Sequence, residues 1–425
     1  MFTNKMIAGL LIPVVLEQLL NSIMGTADTM MVSNVGSAAI SAVSLVDSIN
    51  VLVIQAFSAL AAGGAIVCAQ YIGQKNVKRA NESARQVLFI ITAISVVISL
   101  ICLVFQKPML RLIFGSVEAE VMRASEIYFF YTALSFPFIA AYDSAASIFR
   151  AQDNTKGPML ISMISNVMNI AGNAMLIWGF HMGVAGAALA TLISRVFCAV
   201  VVLIQLRQDR QPIVVRDYLK IRPDFRMIRR ILSIGIPSGV ENSMFQLGKI
   251  IVLSLVSTFG TYAIAANAVS NAIALFQILP GMAVTLAITP VISRCVGAGD
   301  YEQAGYYNKK LMVITYVSMT AMVLFIFSLL PVILKAYNLS DLTARTTADI
   351  IHFHGISAIF IWPIAFSLPA TFRAAGDAKA CMYISSISMW IFRIGFSYVL
   401  GKYLGMGVFG VWVAMVIDWV FRALC

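Results

Sequence analysis

Long apolar runs alternate with short polar segments along the whole chain, and each run is close to or longer than the roughly 20 residues that a membrane-spanning helix needs. A polar, basic stretch separates the sixth run from the seventh. The pattern predicts an all-α polytopic membrane protein with an N-terminal six-helix bundle (1–206), a cytoplasmic linker (207–230) and a C-terminal six-helix bundle (231–425). The twelve predicted transmembrane helices are 6–32, 39–70, 86–106, 125–149, 158–180, 183–206, 231–257, 263–293, 311–334, 350–372, 380–401 and 406–424.

Composition and charge agree with this prediction. Hydrophobic residues make up 60% of the chain and charged residues 12%, whereas soluble domains have roughly 45–50% and about 25%. With the N-terminus in the cytoplasm, the inner loops and ends carry 21 of the 30 Lys and Arg residues and the outer loops carry 6. This asymmetry follows the positive-inside rule and places both termini in the cytoplasm. Because the basic loops account for the +11 net charge, no nucleic-acid partner is predicted. The other three basic residues, Arg195, Lys249 and Arg393, lie within predicted spans.

An internal repeat relates the two sets of six helices. When Pro13 is aligned with Pro237, Glu17 meets Glu241, and after one register slip the loop FRAQDNTK (149–156) matches FRAAGDAK (372–379). An even number of helices in each half gives both halves the same orientation in the membrane. Such parallel repeats are typical of alternating-access transporters.

An acidic residue within the first predicted helix is a candidate for ion coupling. Glu17, Asn21 and Asp28 recur at spacings of four and seven, which places them on one helix face. A charged side chain at the centre of a membrane helix costs roughly 2.5–3.5 kcal/mol on insertion scales, so an acid that is kept there is a functional-site hypothesis. Asp28 is therefore predicted to bind a proton or a hard cation such as sodium.

Polar residues on two later helices could complete such a site. Asn166, Asn169 and Asn173 share a face of the fifth predicted helix, and Thr191 lies on the sixth. Amide and hydroxyl oxygens are ligands that hard cations prefer. The same side chains also stabilise helix interfaces by hydrogen bonds, and this structural interpretation stays open for each Asn.

Other charged residues in the spans allow two interpretations. Glu17 and Glu241 each follow a proline by four residues, so each could stabilise a kinked helix or take part in coupling or substrate binding. Arg195 lies one turn beyond Thr191 and could pair with Asp28, which would keep that carboxylate ionised.

Three further acids, Asp47, Asp143 and Asp418, lie near the ends of predicted helices and are expected to be solvated. The chain contains no Walker motif, nucleophile elbow or HExxH pattern. No spacing of residues indicates a structural metal. The sequence therefore predicts neither an enzyme nor a cofactor, and the partners expected are a small organic substrate and the lipid bilayer.

These motifs resemble the multidrug and toxic compound extrusion (MATE) family over essentially the whole chain. The resemblance rests on the order and duplication of ADTMMVSNVGSAAISAVSL, the two FRA loops, NVMNIAGNAMLIWG with MGVAGAALAT, and IGIPSGVE. It implies two six-helix bundles that form a V, and a monomeric antiporter that exports organic, drug-like, cationic compounds in exchange for protons or sodium ions. The membrane implied is the bacterial inner membrane.

The resemblance also implies roles for single residues. Asp28 matches the first-helix aspartate of the family's N-terminal cation site, and Asn169 and Thr191 match its polar companions. Asn173 stands where some members have a second aspartate. The tenth span has no internal acid, and Glu241 is not clearly at the seventh-helix acid position of the NorM-type branch, so the DinF-like branch is expected. The alternative function is a flippase for a lipid-linked precursor, which would need a wide basic cavity.

Overall fold

The computed structural model describes most of the chain, and every regular element in the described part is helical. It describes the backbone of residues 2–115, 117–208 and 211–425, and the side chains of these residues apart from 24–29, 33 and 219. The described residues form two compact units, which are treated separately below.

The N-terminal unit, Phe2–Gly239, contains the first six spans and the beginning of the seventh. One π-helical segment continues α7, and a short 3-10 helix lies in the connection that follows α8. Its elements are α1 (Asn4–Ser33), α2 (Ser37–Gly73), α3 (Val77–Val104), α4 (Gln106–Phe114), α5 (Ala119–Leu134), α6 (Phe136–Ala151), α7 (Lys156–Asn173), the π segment Ala174–Gly179, α8 (Val184–Leu206), the 3-10 helix Tyr218–Lys220, and the first part of α9 (Phe225–Ser257).

The C-terminal unit, Val240–Cys425, contains the rest of α9 and the last five spans. Its tenth and eleventh spans include π-helical segments, a local geometry that is frequent at functional sites. Its other elements are α10 (Thr261–Gly297), α11 (Tyr301–Ala336), α12 (Asp341–Trp362), the π segment Pro363–Ser367, α13 (Leu368–Ala375), α14 (Ala378–Ile387), the π segments Ser388–Gly395 and Ser397–Tyr403, and α15 (Gly407–Leu424).

The structure confirms the predicted twelve-helix, all-α membrane fold. Ten helical stretches of the described residues are long and apolar enough to cross a membrane. The remaining two predicted spans are also helical: the fourth is divided at Ser135 into α5 and α6, and the seventh is α9.

Two spans begin well before their apolar runs. Helix α3 begins at Val77 and α11 at Tyr301, because the side-chain oxygens of Asn76 and Asp300 cap these helices by accepting a hydrogen bond from the backbone N–H three residues later. Asn76 and Asp300 are counterparts in the internal repeat. Hydropathy locates the apolar part of each helix, whereas the cap decides where the helix begins.

Aromatic side chains fill the cores of both units. Phe57, Phe129, Phe136 and Phe149 are the largest fully buried side chains of the N-terminal unit. In the C-terminal unit the core cluster includes Trp362, Trp412 and Trp419. Because lipid tails are as apolar as these side chains, packing contacts rather than the hydrophobic effect hold the helices together within the bilayer.

Glycines make two equivalent close contacts, one in each unit. A Cβ atom on Gly186 would lie 3.1 Å from the backbone carbon of Leu176, and one on Gly410 would lie 2.8 Å from the backbone carbon of Leu400. Both leucines belong to π-helical segments, and the residues of one pair are the repeat counterparts of those of the other. The repeat therefore preserves a close contact between a glycine and the backbone of the span before it, and the contact is tighter in the C-terminal unit.

We expect Gly410→Ala to destabilise the protein by about 1–3 kcal/mol, the usual cost of overpacking, because the Leu400 backbone cannot swing away as a side chain could. The measurement is the midpoint of thermal unfolding in detergent. Gly305→Ala is the matched control, since a Cβ there meets nothing within 4 Å. A midpoint for Gly410→Ala equal to that of the control would refute the proposed contact.

Candidate functional site

Polar side chains join α1 to α7 in the N-terminal unit. The Asn21 Oδ1 atom accepts hydrogen bonds from Asn166 Nδ2 at 2.7 Å and from Ser162 Oγ at 3.2 Å. Both donors lie on α7, so the polar face predicted for the first helix packs against the amide face predicted for the fifth.

A second set of contacts joins α7 to α8. The Asn169 Nδ2 atom donates to Thr191 Oγ1 at 3.3 Å, and Asn173 Nδ2 donates to Asn169 Oδ1 at 3.2 Å. The Thr191 hydroxyl donates to the Ala187 carbonyl at 3.0 Å. Asn173 is fully buried. The structure thus connects Asn169, Asn173 and Thr191, the three residues that the resemblance grouped, in one hydrogen-bonded chain.

The two helices α1 and α7 run parallel. The Thr155 hydroxyl, just before α7, donates to the carbonyls of Gly9 and Leu10, and farther along α7 the contacts are with Asn21. Asp28 belongs to α1 by its backbone, but its side chain lies outside the described residues. Its predicted contacts, including the pair with Arg195, therefore stay predictions.

Arg195 extends toward the break in the fourth span. Its Nη1 atom donates to Ser135 Oγ at 2.7 Å, and Ser135 is the residue that separates α5 from α6. Ser135 is fully buried. This contact gives Arg195 a role in holding α8 against the fourth span, a role that the sequence did not indicate.

Two acids of the N-terminal unit lie in helix interiors, where the sequence had suggested solvated helix ends. Asp47 Oδ1 accepts from Asn50 Nδ2 at 3.2 Å and from the Tyr128 hydroxyl at 3.3 Å. Asp143 Oδ2 accepts from Ser58 Oγ at 2.6 Å. Both acids are half-buried. The expectation was wrong because each acid lies about two turns or more from the nearest end of its helix and accepts hydrogen bonds from side chains of the protein. The signal that could have found these acids is the one that identified Asp28: a lone carboxylate in an apolar span.

Glu17 and Glu241 form equivalent ion pairs in the two units. Glu17 Oε1 lies 3.7 Å from Arg150 Nη2, and Glu241 Oε2 lies 2.9 Å from Arg373 Nη1. Glu241 Oε1 also accepts from Ser385 Oγ at 2.7 Å. The two arginines are the matching residues of the duplicated FRA loops. Each pair ties the first helix of its half to the end of the fourth, which favours a structural role for both glutamates.

A charged cluster lies inside the C-terminal unit, and it overturns the expectation for the third acid. Asp418 is fully buried; its Oδ1 atom is 3.0 Å from Arg422 Nε and its Oδ2 atom 3.8 Å from Arg393 Nη1. Ser388 Oγ donates to the same carboxylate. Asp418 is buried and not solvated, because the face of α15 that carries this acid packs against the π-helical segments.

His354 is a core residue of the C-terminal unit. His354 is buried, its Nδ1 atom is 2.6 Å from Gln277 Oε1, and its ring contacts those of Trp412 and Trp419. No group of three His, Cys, Asp or Glu side chains in the described part of the chain is arranged to hold a metal ion.

We expect Glu241→Gln to lower the free energy of unfolding by roughly 3 kcal/mol, the lower end of the range for breaking a buried ion pair, because Arg373 is left charged and partly buried. Arg373→Gln should cost a similar amount, and the double variant should cost less than the two changes added together. The measurement is unfolding by dodecyl sulfate titration. Glu82→Gln, in the exposed pair with Arg79, is the control and should change stability little. Simple additivity at Glu241 and Arg373 would contradict the coupling.

Comparison with known proteins identifies the family. Residues 13–175 and residues 237–399 each match the MatE family model. The two matches begin at Pro13 and Pro237, the residues that the internal repeat aligns, so the family model recognises the same duplication.

Relatives and solved structures agree with this match. The chain is 30% identical to an uncharacterized transporter, YisQ, of Bacillus subtilis, over 96% of this chain and 90% of that protein. It is 27% identical to the probable multidrug resistance protein YoeA of the same organism, over 95% and 88% of the two chains. A solved structure of a multidrug resistance MATE family transporter in an outward-facing conformation superposes with a TM-score of 0.91 at 21% identity, over 99% of this chain and 93% of that one, which shows the fold.

The expected DinF-like branch stays a prediction.

The family model covers both halves of the chain, and the relatives match the chain almost from end to end. The protein therefore belongs to the MatE family of multidrug extrusion transporters, which is a family of transporters and not of enzymes.

Proposed function

We propose that the protein is a secondary antiporter that exports organic, drug-like compounds in exchange for protons or sodium ions. It works as a monomer in the bacterial cell membrane with both termini in the cytoplasm, and it needs no cofactor. The names of several relatives, such as the probable multidrug resistance protein NorM of Thermotoga maritima at 24% identity, support multidrug efflux. The asymmetry of basic residues between alternate loops supports the orientation.

The observation that carries the proposal is the polar network of α1, α7 and α8 within an otherwise apolar bundle. Asn21 contacts Asn166, and the interval from Asn21 to Asp28 equals the interval from Asn166 to Asn173. Because α1 and α7 run parallel and both helices rise about 1.5 Å per residue, the backbones of Asp28 and Asn173 lie at a similar level. This similar level supports our proposal that Asp28 is the coupling carboxylate and that Asn169, Asn173 and Thr191 are its polar companions.

The chemistry of such a site suits a small cation. A carboxylate supplies the charge, and amide and hydroxyl oxygens replace part of the hydration shell of a sodium ion, or orient the carboxyl group when a proton is bound. The amides are already held by one another, so little ordering is needed when the ion binds. Asn21 and Asn166 extend the polar surface farther along the same helices.

Coupling follows from linkage. The ion and the substrate prefer different states of the transporter, so each lowers the affinity of the protein for the other. Binding of the ion at Asp28 lowers the affinity for substrate by the same factor as the substrate lowers the affinity for the ion. The driving force is adequate, since one charge that moves across 100 mV is worth roughly 2.3 kcal/mol. Uptake of the ion from outside thus drives release of the substrate outward.

We expect Asp28→Asn to abolish efflux of ethidium, an organic cation, that is driven by an imposed proton or sodium gradient in reconstituted liposomes. Asparagine keeps the shape of the side chain and removes the charge that binds the ion. Asp217→Asn, at an exposed aspartate after α8, is the matched control and should leave efflux unchanged. Equal gradient-driven efflux by wild type and Asp28→Asn would rule out Asp28 as the coupling group.

We expect Thr191→Val to weaken the apparent affinity for the coupling ion about fivefold, because valine has the shape of threonine but offers Asn169 no acceptor, and a lost hydrogen bond is worth about 1 kcal/mol. The measurement is the sodium concentration, or the pH, that gives half of the maximal efflux rate. Thr191→Ser keeps the hydroxyl and should stay close to wild type. An unchanged half-maximal value for the valine variant would mean that the hydroxyl serves packing alone.

A further inference from the structure

The buried cluster around Asp418 has more positive than negative charge. Arg422 and Arg393 share the single carboxylate of Asp418, and Arg422 Nη2 also donates to the Ser385 carbonyl at 3.3 Å. Glu241, whose Oε1 atom accepts a hydrogen bond from the hydroxyl of the same Ser385, forms an ion pair with Arg373 at 2.9 Å. The carboxylates of Asp418 and Glu241 are thus both paired with arginines.

Lys249 adds a further positive charge beside this cluster. Its Nζ atom lies 4.9 Å from the centre of the Phe245 ring, and the Arg393 Cζ atom lies 5.1 Å from the same point. The two cations therefore share one aromatic ring. None of the ion pairs formed by the described residues includes Lys249. Two positive charges held around one ring form a site of the opposite sign to Asp28.

The position of Lys249 is not explained by contact with the membrane surface. Lysine near the end of a membrane helix usually extends its side chain toward the interface. Here α9 ends two turns farther on, at Ser257, and the ammonium group points back over Phe245, one turn in the other direction. Lys249 is nevertheless exposed. A charged group that is exposed yet directed toward the middle of the span needs a polar or anionic partner, because lipid tails offer none.

Helix α9 packs closely against a side chain of the segment that carries Arg393. A Cβ atom on Gly248 would collide with Met389 Cε, so the glycine lets α9 approach the π-helical segment Ser388–Gly395 that carries Arg393. Ser397 Oγ donates to the Arg393 carbonyl. The helix that carries Lys249 thus packs against a side chain of the segment that carries Arg393, which favours a preorganised site.

Aromatic surface continues from the two cations. The Phe245 and Phe366 rings meet edge to face with centres 6.4 Å apart, and Trp362 stacks on Phe366 at 5.3 Å. Phe245 and Phe366 are both partly exposed. Cations beside a partly exposed aromatic surface match a ligand that has an anionic group on an apolar or aromatic body.

We propose that Lys249 and Arg393, placed around Phe245, bind the anionic group of an amphipathic substrate, so that the exported compounds include aromatic organic anions and zwitterions as well as cations. That these compounds are exported rests on the proposed function. Binding of the ligand at this site does not depend on whether transport is coupled to an ion. The anionic group is a carboxylate, sulfonate or phosphate, carried by a soluble compound or by a lipid headgroup.

The first test is direct binding of carboxyfluorescein, an aromatic carboxylate, to the purified full-length protein in detergent, followed by fluorescence anisotropy. We expect Lys249→Gln to bind about tenfold more weakly than wild type, in line with the loss of one charged hydrogen bond, and Lys249→Arg to stay close to wild type. Lys335→Gln, at an exposed lysine at the end of α11, is the matched control and should bind normally. Binding of ethidium should not weaken in any of these variants.

Two outcomes would overturn the site. One is equal carboxyfluorescein affinity in wild type and Lys249→Gln, and the other is an equal loss of carboxyfluorescein and ethidium binding in Lys249→Gln, which would mean a general structural effect. Gel filtration of each variant shows whether it is folded. If Lys249→Gln does not fold, the comparison passes to Lys249→Met, which has similar length and no charge; unchanged carboxyfluorescein affinity in that variant would equally refute the site.

A transport experiment separates this inference from the proposed function. Liposomes are prepared with carboxyfluorescein inside, or with a fluorescently labelled phosphatidylglycerol in the outer leaflet, and a gradient is imposed. Loss of carboxyfluorescein efflux in Lys249→Gln supports a soluble anion, and loss of phosphatidylglycerol movement instead supports a lipid headgroup. If binding depends on Lys249 but neither probe nor ethidium moves, the anion site stands and the export function fails.

Discussion

A charged or polar side chain within the hydrocarbon core of a bilayer must find a partner inside the protein, because lipid offers neither water nor counterions. This constraint governs the arrangement of the ionisable residues described in the spans. Glu17 and Glu241 are neutralised by arginines, Asp418 by two arginines, and Asp47 is held by hydrogen bonds from Asn50 and Tyr128. Lys249 belongs to none of the ion pairs of the described residues. A charge without a counterion in a span is the best physical indication of a ligand.

The two halves share their scaffold and differ in their sites. The helix caps Asn76 and Asp300, the glycine contacts and the Glu–Arg pairs recur at equivalent positions. These features determine where helices begin, how helices contact one another, and how the first and fourth helices of each half are joined. They can therefore be the same in both halves whatever substrate is transported. By contrast, the N-terminal unit has a chain of amides and hydroxyls, whereas the C-terminal unit has a basic and aromatic cluster. The functional differences between the halves therefore lie in a small number of side chains.

Two of the four π-helical segments in the described part of the chain carry residues of the basic and aromatic cluster. The segment Ser388–Gly395 carries Arg393, and Pro363–Ser367 carries Phe366. A π-helical turn rotates the residues that follow it relative to an α-helix, so helical periodicity misplaces their side chains. This is one reason why the basic cluster of the C-terminal unit did not emerge as a face in the sequence, although Lys249 and Arg393 were visible as charges within spans.

The sequence alone determined the number of spans, their helical class and the duplication, because a bilayer demands long apolar helices and because the two halves retain matching residues. It also identified the polar faces of α1 and α7 that meet at Asn21 and Asn166, since the polar residues on each of these helices recur at the helical period. Only the tertiary structure decided which charges meet. Arg150 and Glu17 lie on helices that are far apart in the chain, and Asp418 reaches Arg393 only when α15 packs on a π-helical segment. Local periodicity fixes which face a residue occupies, whereas the partner on that face depends on how separate helices pack.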